Sequence, residues 1–267
     1  MATVPTVPTV PTVPSGPTLP LTGERTLPDI PDEHYWFTRH LAAYLWARQH
    51  CHGIVLDAGS GEGYGTALLA DVAEQAIAID LDHQSAAHTK WRYPKVSAVT
   101  GNLWSWPVTS SSLDVVVSLQ VIEHLWDPSA FLAEAQRCLR PGGLVIISTP
   151  NRLTFSPGLE RSERPVNPFH VEEFDGEQLV QMLTAHRFRQ VTLDGVLDGP
   201  GSELDQDLIQ QPNPHAWSIE LRERVASTTV MDFPITELAS TNIATAVGSD
   251  RRILDLIVTA RTSDLPD

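Results

Sequence analysis

Short apolar runs alternate with amphipathic stretches from residue 53 to residue 196. Runs rich in Val, Ile, Leu and Ala occupy 53–58, 76–80, 96–100, 114–119 and 143–149, each of strand length. Helical spacing fits 64–74, 82–91, 128–140 and 175–186. Strand and helix in repeated alternation predict an α/β fold, a parallel sheet with helices on both faces. Ile253 to Ala260 reads as a last strand, with 190–196 as its neighbour and 197–252 as an insertion between them. Upstream, 28–50 reads as a helix entered through Pro-Asp-Ile-Pro-Asp, with Asp32 as its cap. Tyr35, Trp36, Phe37, Arg39 and His40 cluster near its start, and Leu41, Tyr44 and Leu45 continue at helical spacing.

Before that helix the pattern disappears. Pro5, Pro8, Pro11, Pro14, Pro17 and Pro20 recur every third residue in Pro-Thr-Val triplets, which suits polyproline II and prevents helix. Residues 1–27 are therefore expected to form a disordered tail, and 28–267 one domain that carries the insertion at 197–252 as an acceptor-side cover. The first 20 residues contain no charge, so they lack the basic start of a signal peptide.

Charge then narrows the partners. Eighteen Lys and Arg stand against 33 Asp and Glu in 267 residues, a net charge of −15. Duplex binding rests on Lys and Arg at phosphates, so no nucleic acid is expected, and no anionic membrane surface either. No apolar run reaches the length of a membrane span. Cys51 and Cys138 lie far apart in sequence, which suits a reducing, cytoplasmic setting.

The segment 55–65, Val-Leu-Asp-Ala-Gly-Ser-Gly-Glu-Gly-Tyr-Gly, follows a strand and opens a helix. Gly59, Gly61 and Gly63 allow a tight turn and close approach of backbone to ligand. Asp80 ends the second strand, 21 residues after Gly59, where a carboxylate can hold both ribose hydroxyls. Nicotinamide and S-adenosylmethionine (SAM) enzymes share that geometry. The loop reads Gly-x-Gly-x-Gly rather than Gly-x-Gly-x-x-Gly. Asp57 and Glu62 discourage a pyrophosphate, whereas the cationic groups of SAM tolerate nearby acids.

Asp-Ala-Gly-Ser-Gly-Glu-Gly (57–63), Val-Ile-Glu-His-Leu (121–125) and Leu-Arg-Pro-Gly-Gly (139–143) together resemble class I SAM-dependent methyltransferases of the type 11 group. The resemblance covers about 28–195 and the last strand. It implies a Rossmann-like sheet of seven strands, order 3-2-1-4-5-7-6, with strand 7 antiparallel. It also implies that Gly59, Gly61 and Gly63 wrap the methionine moiety and that Asp57 lies near the ammonium. Asp80 would hold the ribose, Leu81 pack on adenine, and Gln120 contact the methionine end. Gly101-Asn-Leu103 resembles the adenine-binding motif, with Asn102 where Asp is usual.

Glu123 and His124 follow strand four, where an open α/β sheet places its site. His170 follows strand five in Asn-Pro-Phe-His-Val-Glu-Glu-Phe (167–174). These three are the candidate catalytic residues. His170 is read as general base or metal ligand, since a hydroxyl acceptor gains from proton removal by His or by a metal. By resemblance to SAM enzymes with a glutamate-histidine pair here, Glu123, His124 and His170 are also the metal set, for Mg²⁺ or Mn²⁺. Gln120 stands where those enzymes carry a second glutamate. Tyr35, Trp36, Arg39 and His40 are expected to cover donor and sugar, and Asn151 to orient the acceptor or simply to cap a strand end.

The aromatic start, the Asn-Pro-Phe-His segment and Thr-Thr-Val-Met-Asp-Phe-Pro (228–234) are similar to mycobacterial sugar O-methyltransferases of polymethylated polysaccharide synthesis. That implies methylation of a hydroxyl on a short methylated mannoside. The alternative acceptors are a quinone, a lipid or another small molecule with a hydroxyl or amine; a SAM-binding module without catalysis and, more distantly, an NAD-dependent oxidoreductase are the other classes. The expected partner is a small-molecule or oligosaccharide acceptor, with a homodimer allowed for.

Overall fold

The computed structural model describes residues 19–30, 33–197, 230–233 and 253–263. Eight strands form one sheet: β1 (Ile54–Ala58), β2 (Gln75–Asp80), β3 (Val96–Thr100), β4 (Leu113–Leu119), β5 (Leu139–Pro150), β6 (Arg189–Leu197), β7 (Val230–Phe233) and β8 (Ile253–Arg261). Their order is β3-β2-β1-β4-β5-β8-β6-β7. β3 through β5 pair in parallel, and β8 enters antiparallel between β5 and β6. This is the expected seven-strand order. The insertion adds β7, a four-residue edge strand antiparallel to β6; the rest of 198–252 lies outside the described residues.

The period-two alternation of the strands splits the core between the two faces. Val55, Val115, Val117, Ile146 and Ile257 pack with Phe37, Leu41, Leu45, Leu68 and Leu69 of α1 (His34–Arg48) and α2 (Tyr64–Leu69). Leu56, Val116, Val145, Ile147, Leu256 and Val258 pack with Phe131, Leu132, Leu179 and Leu183 of α4 (Pro128–Cys138) and α6 (Gly176–Ala185). α3 (His83–Arg92) joins β2 to β3, and the four-residue α5 (Arg152–Phe155) follows β5.

Several boundaries differ from expectation, among them the start of β5 at Leu139 rather than 143, and three bear on the site. α2 ends at Leu69 rather than 74, because the Gly53 carbonyl accepts from Glu74 N–H and Gln75 N–H and draws the chain into β2. α1 begins at His34, after Glu33, whose side chain makes no cap hydrogen bond; Asp32, the expected cap, lies outside the described residues. The tail expected to run through residue 27 is docked at its end. Thr26 and Leu27 are buried, and Thr26 Oγ1 lies 3.1 Å from Tyr64 Oη.

Candidate active site

The glycine loop and its surroundings are built on the carboxyl ends of β1, β2 and β3. Gly59 and Gly63 have φ of 87° and 97°. A Cβ at Gly59 would meet Val121 at 2.5 Å, and one at Gly63 would meet Thr89 at 2.4 Å, so neither position tolerates a side chain. Gly59 N–H and Ser60 N–H both donate to Ile79 O, which pins the loop to β2. Gly61 N–H donates to Asp80 Oδ2 at 2.7 Å, and Asp82 N–H donates to Asp80 Oδ1 at 2.9 Å. Burial raises the Asp80 pKa, and these two amides oppose the rise.

Asp57 is fully buried beneath the loop. It accepts from Thr66 Oγ1 at 2.5 Å and from Tyr44 Oη at 3.1 Å. Burial pushes its carboxyl up to about 7, against those hydrogen bonds. Glu62, also buried, lies 2.8 Å from His88 Nε2 and accepts from Tyr93 Oη at 2.8 Å, tying the loop to α3. Leu81 is 71% exposed, a flat apolar surface beside Asp80. Asn102 Oδ1 accepts from Trp104 N–H at 3.0 Å, whereas Leu103 is buried against Trp106. A glycine loop over buried acids, an acid at the end of β2 and an uncovered apolar side chain next to it suit a nucleoside with a cationic tail.

Beyond the loop lies a cavity of about 250 Å³ in which Trp36, Arg39, His40, Gln120, Glu123, His124 and His170 meet. Gln120 closes β4 in the left-handed region, φ 58°, a strained conformation typical of functional sites. Its backbone N–H donates to Ser148 O and its Nε2 to Ser148 Oγ. Glu123 is buried and accepts from Thr149 Oγ1 at 2.9 Å; burial pushes its carboxyl up to about 7. His170 Nδ1 lies 2.6 Å from Glu173 Oε1, and its Nε2 lies 2.9 Å from Asn167 Nδ2. Those partners assign the tautomer with hydrogen on Nδ1. Burial lowers the His170 pKa, but the Glu173 hydrogen bond and nearby carboxylates outweigh it, and the net shift is upward. Desolvation and the neighbouring Arg39 lower the His40 pKa to about 4.

Arg39 and Asp255 form a buried ion pair, with Nε donating to Oδ2 at 2.8 Å. The guanidinium carbon lies 4.8 Å from the ring centres of both Trp36 and Phe155. Asn151 stays outside the cavity lining. Its Oδ1 accepts from Leu153 N–H to cap α5 and its Nδ2 donates to Ile253 O, so its side chain is committed to the scaffold. The Tyr35 side chain lies outside the described residues.

His124 and His170 of the expected metal set come together with a different acid, Glu24. Glu123 Oε2 accepts from Thr149 while its Oε1 lies 4.0 Å from His124 Nε2, and Glu24 of the docked leader draws nearer to the two histidines. The ligand atoms of Glu24, His124 and His170 lie within 4.8 Å of one another, with His124 Nε2 3.0 Å from Glu24 Oε2. Sequence reading missed Glu24 because a residue 100 positions from His124 in a proline-rich leader carries no local signal. It also missed Glu173, whose signal was its position three residues after His170.

Residues 56–147 match the family described as "Methyltransferase domain". A protein named a probable S-adenosylmethionine-dependent methyltransferase from Mycobacterium tuberculosis is 42% identical over 256 residues, 91% of this chain and 89% of that one. A similarly named protein of Mycolicibacterium smegmatis is 44% identical over 236 residues, 84% of this chain and 91% of that one. The fold is similar to a Thermotoga maritima crystal structure described as a SAM-dependent methyltransferase, possible histamine N-methyltransferase. The TM-score is 0.57 at 18% identity, over 87% of this chain and 95% of that one.

Proposed function

The chain belongs to the S-adenosylmethionine-dependent methyltransferases, and on that premise we propose that it methylates a hydroxyl of an uncharged sugar, a short methylated mannoside. The observation that supports this most is the His170–Glu173 pair in the wall of the cavity that Gln120 also lines. Bound SAM supplies an electrophilic methyl group. The glycine loop and Asp80 hold the donor, and Gln120 orients its methionine end. Glu173 keeps the proton of His170 on Nδ1, which leaves Nε2, now facing the Asn167 amide, to take the proton of an acceptor hydroxyl. Trp36 and Phe155 flank Arg39, whose charge Asp255 balances, so this wall of the cavity is aromatic and nearly neutral and suits an uncharged acceptor. Much of the rate comes from alignment of acceptor oxygen with methyl group.

In the alternative to a histidine base, Glu24, His124 and His170 would hold a divalent cation, and the two imidazoles favour Mn²⁺ over Mg²⁺. Such an ion would lower the pKa of an acceptor hydroxyl. Methyl transfer unaffected by thorough chelation would remove the metal. A small cationic amine is the second reading, favoured by Glu24, Glu33, Glu123 and Glu173 in the cavity lining. The deciding experiment incubates protein and SAM with mannosides and with amines and looks by mass spectrometry for a product heavier by one CH₂. Transfer to amines alone sinks the sugar reading.

A further inference from the structure

Arg25 belongs to none of the motifs, yet it stands directly over the glycine loop. A Cβ added at Gly61 would meet its Cγ at 3.9 Å and no other atom within 4 Å. Its Nη2 donates to Asp82 Oδ2 at 2.7 Å, which fixes the guanidinium from one side. The side chain is only 10% exposed, and Nε and Nη1 are buried with no acceptor among the described residues. Buried N–H groups without acceptors are costly and call for a partner.

The charges around the loop say what that partner is. Asp57, Glu62, Asp80 and Asp82 all lie in or beside it. His88 and Arg92, the other basic side chains that reach it, are committed to Glu62 and Asp29. SAM carries one anionic group, the carboxylate of its methionine end, and beside Asp80 and Asp82 that group needs a cation to face. We infer that Arg25 binds the α-carboxylate of the cofactor through Nε and Nη1, while Asp82 holds the guanidinium in place. Arg25 is thus a cofactor-binding residue outside the glycine loop, contributed by the leader. The inference rests on the cofactor alone, so its failure leaves the choice of acceptor untouched.

Calorimetric binding of SAM and of decarboxylated SAM, which lacks only this carboxylate, tests it without any turnover. For Arg25→Met, SAM affinity falls by roughly ten- to a hundredfold, while that of the decarboxylated form stays within about twofold. Arg25→Lys, which keeps the charge, lies between. Asp82→Asn, which removes the ion pair and keeps Arg25, retains most of the preference for SAM. Equal losses for both ligands in Arg25→Met and Arg25→Lys, or a loss in Asp82→Asn as large as in Arg25→Met, would mean that Arg25 only pins the leader. Either result overturns the inference, as does unchanged SAM affinity.

Discussion

At His170 the chemistry depends on one proton. The neutral ring is the base, and Glu173 raises the pKa above the ordinary histidine value. The rate therefore climbs with pH through that raised pKa. Glu173→Gln removes the raising contact, so the rising limb of kcat against pH moves to lower pH while the plateau drops. An unmoved limb would assign it to another group. His170→Ala lowers kcat by roughly 10²- to 10⁴-fold with SAM affinity unchanged; equal loss of both would contradict a role as base. Asp57 carries a separate prediction. Its folded pKa of about 7 lies above its unfolded value, so between about pH 4 and 7 the folded chain keeps a proton the unfolded chain has lost. Stability of the ligand-free protein then falls as pH rises across that window, by on the order of 2 to 4 kcal/mol. Asp57→Asn removes that part of the slope, measured by urea denaturation at the two ends, and leaves the part due to Glu123. Glu123, His124 and Gln120 were legible as site candidates because strand ends of an α/β sheet place them. What each carboxylate touches was not, because Glu123–Thr149 and Glu24–His124 are long-range contacts.

At the scale of elements, α1 and α2 meet through a missing side chain. A Cβ on Gly65 would lie 2.1 Å from the Tyr44 ring, which is buried and hydrogen-bonded to Asp57. A rigid ring so held cannot move aside cheaply. Gly65→Ala therefore destabilises by about 1–3 kcal/mol, seen as a lower urea midpoint, and Tyr44→Leu in the same chain recovers part of it. No recovery would locate the strain elsewhere. The alternation of apolar runs made the sheet and its helices legible, because each strand pairs in the order that βα repetition dictates. The end of α2 was not legible: helical spacing continued past Leu69, and the tertiary pull of the Gly53 carbonyl ended it. β7 was hidden for a similar reason, since four residues inside an insertion form a strand only because β6 offers an edge.

For the whole molecule, the excess of acid is uneven. Residues 161–267 hold 18 acids and 9 bases. That third of the chain supplies His170 and Glu173 to the cavity, where Glu24, Glu33 and Glu123 also converge. Arg39, the arginine in the lining, is already balanced by Asp255. A phosphate carried into this space meets four glutamates, two of them facing histidines, and an arginine already engaged by Asp255. One charge pair about 6 Å apart at an effective dielectric near 20 costs roughly 3 kcal/mol. A phosphorylated sugar is therefore expected to react with kcat/KM at least about tenfold below that of the same sugar without phosphate. Added salt narrows the gap in proportion to how much of the repulsion crosses solvent. Paired acceptors that differ only by the phosphate, assayed at low and high ionic strength, measure both effects. Preference for the phosphorylated form would require a cationic subsite along the acceptor path and would overturn the reading of an uncharged acceptor.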